Sequence, residues 1–407
     1  MQRKTFVSSA LSVAFLGGNA SRALAQVAGA APALASFPHP DNVLVVVQLA
    51  GGNDGLNTIV PWSDAAYYRA RPSIAVAANQ VLKLDDRIGF NPALKGLHEL
   101  YQRGHVAVMN GVGYPNPNRS HFEATQIWET ASPDRPQQYG WLGRYLDRRF
   151  ANGAKPSSLF EAVSLGDVLP AALVASHVEV PAIGALGAFG YNTGRDLASK
   201  QSAGVLYDGA KAGQSPYLAM IATTARDAYH GGDVLRAQTA AFTNKATYAT
   251  NGFAQQLALA AKLIGSSAGS KIVFVSIGSF DTHAGQRGQQ DRLLGYLGDA
   301  LLAFQTDLAA HGLDDKVLTL TFSEFGRRVT QNASNGTDHG AAMPMFLIGS
   351  GVKGGTYGEH PSLTELDHGD LAFSTDFRSV YATVIQRWLG RDPSEIIGGA
   401  FPLLGFV

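Results

Sequence analysis

Five short apolar runs recur along the chain, and each closes in polar residues. The first, Val43 to Leu49 (VLVVVQL), has no charge and no proline, which is how a strand buried on both faces of a mostly parallel sheet reads. It breaks at Gly51-Gly52, and Asn53, Asp54, Asn57 and Thr58 follow within a few positions. HVAVMN at 105–110, KIVFVS at 271–276, VLTLTF at 317–322 and the run opening at Met345 repeat the pattern. Helical spacing fills the gaps. Leu94, Leu97, Leu100 and Tyr101 share one face, as do Leu293, Leu297, Leu301, Phe304 and Leu308, and residues 254–264 form a further apolar helix. Near the end, Ser374 or Thr375 is expected to cap a helix whose Phe377, Val380, Tyr381, Val384 and Trp388 face the core. Strands alternating with helices predict an α/β fold, a three-layer αβα sandwich with a mostly parallel central sheet, opened by a parallel crossover.

Residues 156–251 break this rhythm. Short β-like runs at 161–165 and 178–183, Gly/Ala-rich turns and a polar helical stretch around 219–236 read as an insertion or cap within one domain spanning 41–407. At the other end, Arg3 and Lys4 precede an apolar run from Phe6 to Leu16, and Ala23-Leu24-Ala25 offers a small-x-small cleavage site. Residues 1–25 therefore read as a secretory signal, with RKTFV resembling a weakened twin-arginine motif, and 26–40 as a linker. The expected location is periplasmic or secreted.

Composition narrows the chemistry. Lys+Arg and Asp+Glu balance at 32 each, so nothing marks a nucleic-acid partner, and no apolar run is long enough for an integral membrane segment. The absence of cysteine excludes disulfides, thiolate zinc sites and iron–sulfur clusters.

What remains is oxygen and imidazole chemistry at the carboxyl ends of the strands, where open α/β sheets bind ligands. Asp54 follows the first strand. Behind the second comes NRSHF, where Ser120 stands at a predicted helix start with Glu123 as capping-box partner. Ser120 reads equally as an N-cap and as a nucleophile in the positive field of a helix terminus, with His121 beside it. The third strand leads to Asp281 and His283, the fourth to Glu324 and Arg327, and the next loop holds Asp338 and His339. Carboxylates and imidazoles gathered at one edge imply a divalent cation such as Zn²⁺, Mn²⁺ or Ca²⁺. Arg119 or Arg327 would neutralise an anionic ester, and Ser120 would attack it.

The motifs GGNDGLNT, NRSHF, FDTH, SEFGR and TDHG, in this order, resemble the exported bacterial family known as domain of unknown function 1501, itself similar to the alkaline phosphatase and sulfatase superfamily. The resemblance implies an alkaline phosphatase-like fold, metal binding at Asp54 and a serine nucleophile at Ser120. Departures are visible too: Asp281 and His283 are two residues apart where the superfamily spaces such a pair by four, and Glu324-Phe325 replaces an Asp-His pair. The expected activity is metal-dependent hydrolysis of phosphate or sulfate esters on a small anionic or polysaccharide-derived substrate. The alternatives are another metal-using exported enzyme, such as a transferase, and a non-catalytic exported binding or assembly protein on the same fold.

Overall fold

The computed structural model describes residues 41–154, 156–184 and 231–407. The signal, the linker and part of the predicted insertion lie outside the described residues. The central sheet is built from β1 (Val43–Leu49), β2 (Val106–Gly113), β3 (Ala162–Leu165), β4 (Ile272–Ile277), β5 (Val317–Phe322), β6 (Met343–Ile348) and β7 (Gly355–Tyr357). In space they run β7-β2-β6-β5-β1-β4-β3, and β1, predicted as the opening strand, lies between β5 and β4. All these pairings are parallel except those of β6, which runs against both β2 and β5. The β1-to-β2 crossover is therefore parallel, but β5 and β6 stand between its two strands.

Side chains alternate across β1 and divide the core in two. Val43, Val45, Val47 and Leu49 face helices α1 (Lys95–Gln102), α4 (Gly252–Gly265) and α5 (Gln286–Ala310). Leu44 and Val46 face α2 (His121–Thr130), α3 (Trp141–Arg149) and α6 (Phe377–Thr383). Both faces of the sheet are thus covered, which explains why the strands read as continuous apolar runs rather than alternating ones. The result is the expected three-layer α/β fold.

Two local expectations are corrected. The run at 161–165 is not insertion but the edge strand β3, whose Val163 pairs with Val273 of β4 and is fully buried. The helix expected near the end, α6, is capped by neither Ser374 nor Thr375. Those residues lead into a short strand, Thr375–Asp376, beside β2, and the Asp376 carboxylate accepts from the Arg378 amide. No helix among the described residues is long and apolar enough to cross a membrane.

Candidate metal centre

The turn after β1 organises the carboxyl edge. Gly51 and Gly52 both have positive φ, and a Cβ on Gly52 would stand 2.3 Å from the Phe325 ring. This close approach lets Phe325 lie under the site, 4.4 Å from the His339 ring and 4.9 Å from that of His121. The Gly51 amide donates to Glu324 at 2.8 Å, so the turn and the end of β5 hold one another.

Three predicted residues converge. Donor atoms of His121, Asp281 and His339 all lie within 4.8 Å of one another. His121 Nε2 is 3.5 Å from Asp281 Oδ2, and His339 Nε2 is 3.2 Å from Oδ1. His283 joins at the margin, with its Nε2 3.0 Å from Asp281 Oδ1 and 2.9 Å from His339 Nε2.

The outer hydrogen bonds decide which nitrogens point inward. His339 Nδ1 lies 2.9 Å from the Arg119 carbonyl, which can only accept, so Nδ1 carries the proton and Nε2 presents a lone pair. His121 Nδ1 is held at 2.8 Å by the Glu324 carboxylate, with the same consequence. Burial pushes the His339 imidazole below its usual range, against the pull of the Arg119 carbonyl and Asp281, which keeps the ring neutral to lower pH. Asp281 is raised by partial burial, but Arg327, His339 and His283 outweigh this and hold it below the ordinary carboxylate range.

Two imidazole nitrogens and a carboxylate oxygen are the kind of donor set that an open Zn²⁺ site uses. Ligands about 2.0–2.1 Å from a tetrahedral ion stand roughly 3.3 Å apart; His339 Nε2 stands 3.2 Å from Asp281 Oδ1 and His121 Nε2 3.5 Å from Oδ2, one imidazole to each carboxylate oxygen, with all three donor atoms within 4.8 Å. In chemistry and proximity the three residues are a candidate site for one divalent cation.

The other predicted residues take different places. Asp54 does not join the cluster. It caps the helical turn Gly55–Thr58 through the Leu56 amide and pairs with fully buried Arg71 at 2.5 Å, while Gln286 donates to the same carboxylate. Glu324 is not a member either: buried at 3% exposure, it orients His121. Asp338 is more than half exposed and lies behind His283, where a hydrogen bond from Asn332 and the nearby imidazole hold its carboxyl down.

Arg327 is corrected from anion binder to strut. It is 1% exposed and donates to the carbonyls of Gly51, Gly52, Thr337 and Phe280 and to Asp281 Oδ1. Arg119 is likewise engaged, since its guanidinium pairs with buried Asp370. Asp370, Asn332 and Phe325 were missed as participants; Asp370 lies in the short strand Asp370–Leu371, and its partner Arg119 is distant in sequence, with no local signal to find it.

Ser120 is the N-cap residue of α2, but the predicted capping box is absent. Glu123 accepts from the Asn118 side chain, Asn118 Oδ1 accepts from the Ser120 amide, and the Ser120 hydroxyl makes no cap bond. Its neighbours on both sides enter the cluster, Arg119 through its carbonyl and His121 through its ring. Ser120 is thus an exposed residue at the amino end of a ten-residue helix, flanked in sequence by two residues that enter the cluster.

Since Glu324 fixes the His121 tautomer, Glu324→Gln should weaken Zn²⁺ affinity by about 10- to 100-fold. Competition against a fluorescent zinc chelator checks this; unchanged affinity would mean that His121 needs no such support.

A family described as "Protein of unknown function (DUF1501)" matches residues 41–397. No curated protein matches the sequence significantly. Among solved structures, the chain is similar to a protein of the alkaline phosphatase superfamily from Vibrio parahaemolyticus, at 9% identity and TM-score 0.41, covering 95% of this chain and 77% of that one. It is similar to the lipoteichoic acid synthase LtaP from Listeria monocytogenes, at 9% identity and TM-score 0.39, covering 93% and 80%. A third is the C-terminal periplasmic domain of EcEptC from Escherichia coli in complex with Zn, at 10% identity and TM-score 0.31, covering 90% and 84%. Likeness at this distance transfers no chemistry.

Proposed function

The chain belongs to the DUF1501 family of proteins of unknown function, and from its own site we propose that it is an exported, metal-dependent hydrolase of phosphate or sulfate esters acting through Ser120. The observation that carries this reading is the inward aim of His121 and His339. Both Nδ1 atoms are held by acceptors, so both Nε2 lone pairs face the Asp281 carboxylate, and that of His339 also faces a third imidazole, His283. Lone pairs and negative charge gathered this closely are mutually repulsive, and a cation relieves the repulsion.

The charge balance supports the same reading. Arg327 and Arg119 are both engaged with carboxylates, so an incoming anionic ester meets Asp281 and Glu324 without a free guanidinium beside them. A divalent cation held by His121, Asp281 and His339 would polarise the phosphoryl or sulfuryl oxygen and favour the alkoxide of a nearby hydroxyl. The chain's own residues do the remaining work. The positive end of α2 favours the Ser120 alkoxide, Glu324 and the Arg119 carbonyl keep the imidazoles in one tautomer, and Arg327 fixes the orientation of Asp281. Attack by Ser120 Oγ on phosphorus or sulfur would release the alcohol and leave an ester on the serine, which water then cleaves.

Elemental mass spectrometry on protein purified without chelators should find about one divalent ion per chain, lost in His121→Ala and His339→Ala. Hydrolysis of p-nitrophenyl phosphate or p-nitrophenyl sulfate should fall on chelation and return with the metal. A folded protein that takes up no metal under any loading condition would sink this reading in favour of a binding protein.

A further inference from the structure

Asp281 and His339 face each other at 3.2 Å, yet they arrive on separate loops, one after β4 and one on the return from β5 to β6. The two loops are pressed together beside these donors. A Cβ on Gly336 would stand 2.2 Å from the His283 carbonyl carbon, and the Thr337 amide donates to the Thr282 carbonyl at 3.2 Å. Thr282 lies between Asp281 and His283, and Thr337 stands two residues before His339. Whatever holds these two threonines therefore governs how the donors meet.

One side chain joins both of them. Gln286, the first residue of α5, is fully buried, and its Oε1 accepts from Thr282 Oγ1 at 3.1 Å and from Thr337 Oγ1 at 2.5 Å. Its Nε2 donates to Asp54 Oδ2. A carboxylate only accepts, so the amide nitrogen must face Asp54 and the amide oxygen must turn to the two hydroxyls. Asp54 is held in turn by Arg71 Nη1 at 2.5 Å and by the Leu56 amide at 3.2 Å. Arg71 also donates to the carbonyls of Arg328 and Val329, on the same return segment that brings His339. Arg71, Asp54 and Gln286 thus form a continuous buried chain beneath both loops.

Stability alone does not call for such a chain. Apolar side chains of similar volume would fill the space without desolvating a guanidinium, a carboxylate and an amide. What the polar chain adds is direction, because each hydrogen bond fixes one backbone segment against the next. We propose that Gln286 is a positioning residue of the metal centre, a role that rests on the cation-binding reading above. Through Thr282 and Thr337 it holds Asp281 and His339 close enough to share one ion, with Asp54 and Arg71 as its anchor. Asp54 then serves the site from below rather than as a ligand.

Co²⁺, which takes the same donors as Zn²⁺ and reports its coordination through visible d–d absorption, is titrated into the metal-free protein. Gln286→Leu and the double variant Thr282→Val/Thr337→Val should bind it about 10- to 100-fold more weakly and with an altered spectrum, at a temperature where circular dichroism shows them folded. Thr282→Ser/Thr337→Ser, which keeps both hydroxyls and loses only methyl groups, should restore affinity and spectrum towards wild type. Should Gln286→Leu fail to fold, the valine and serine pair decides. Wild-type affinity and spectrum in the valine variant would overturn the proposal, and so would a serine variant as weak as the valine one, since packing and not hydrogen bonding would then set the site. Cobalt binding with the expected losses but no ester cleavage would refute the hydrolase reading and leave the positioning role standing. Ester cleavage with unchanged cobalt affinity in the valine variant would do the reverse, and a wild type that takes up no cobalt would overturn both.

Discussion

Ser120→Ala should lower ester turnover by at least about 10³-fold while metal content and melting temperature stay at wild-type values. The separation of effects follows from the position of the hydroxyl. Ser120 is exposed, its Oγ makes no cap bond, and Asn118 already satisfies its amide, so truncation removes little that holds the fold. The same hydroxyl stands between the residue whose carbonyl orients His339 and the residue whose ring faces Asp281. Three measurements on one preparation check this: steady-state turnover, metal per chain and thermal unfolding. A variant that keeps more than about a tenth of wild-type turnover would show that water attacks the ester directly. Ser120→Cys, incubated with the ester and examined by intact-mass spectrometry, would show whether a covalent adduct still forms.

The second large effect concerns stability. Arg327→Met should cost about 3–5 kcal/mol, because it removes a buried cation that four backbone carbonyls and the Asp281 carboxylate share. Methionine fills much of the volume but offers no donor, so the carbonyls of Gly51, Gly52, Phe280 and Thr337 lose a partner together. Urea unfolding with a shared m-value reads the loss directly. Metal affinity should fall as well, since Asp281 loses the group that fixes its orientation. A loss below about 1 kcal/mol would mean that water replaces the guanidinium, and the turn after β1 would then owe its shape to its glycines alone.

Much of the architecture was legible because burial on both faces leaves a simple trace. β1, β4 and β5 have no charged residue to interrupt them, and helices such as α5 show their apolar spacing plainly. The edge that gathers the chemistry was legible for a related reason: each run ends in a glycine or in acidic, hydroxyl or imidazole side chains. Roles within that edge were harder to read. Asp54 looks like a ligand until Arg71, in a segment with no motif, is found to neutralise it. Arg327 looks like an anion binder in SEFGR, yet the Gly51-Gly52 turn leaves carbonyls that only a long planar donor can reach. Glu324 reads as a metal ligand and His121 as a catalytic neighbour of Ser120, whereas their contact at 2.8 Å makes Glu324 the support and turns the His121 ring into the cluster. In each case the deciding partner is remote in sequence, and local pattern contains no information about it.

The reversed direction of β6 bears on how this protein could be altered. Because β5 and β6 run antiparallel, the chain leaves the sheet after Phe322 and re-enters it at Met343 along the same edge, between neighbouring strands roughly 5 Å apart. That return supplies Glu324, Arg327, Asp338 and His339 without crossing either helical layer. Its two anchor points are fixed by the strands and not by its own length. The segment thus brings one member of the cluster, His339, with the two residues that orient its partners, Glu324 for His121 and Arg327 for Asp281, and an exchange between relatives would have to keep the turn after β1 that Arg327 holds.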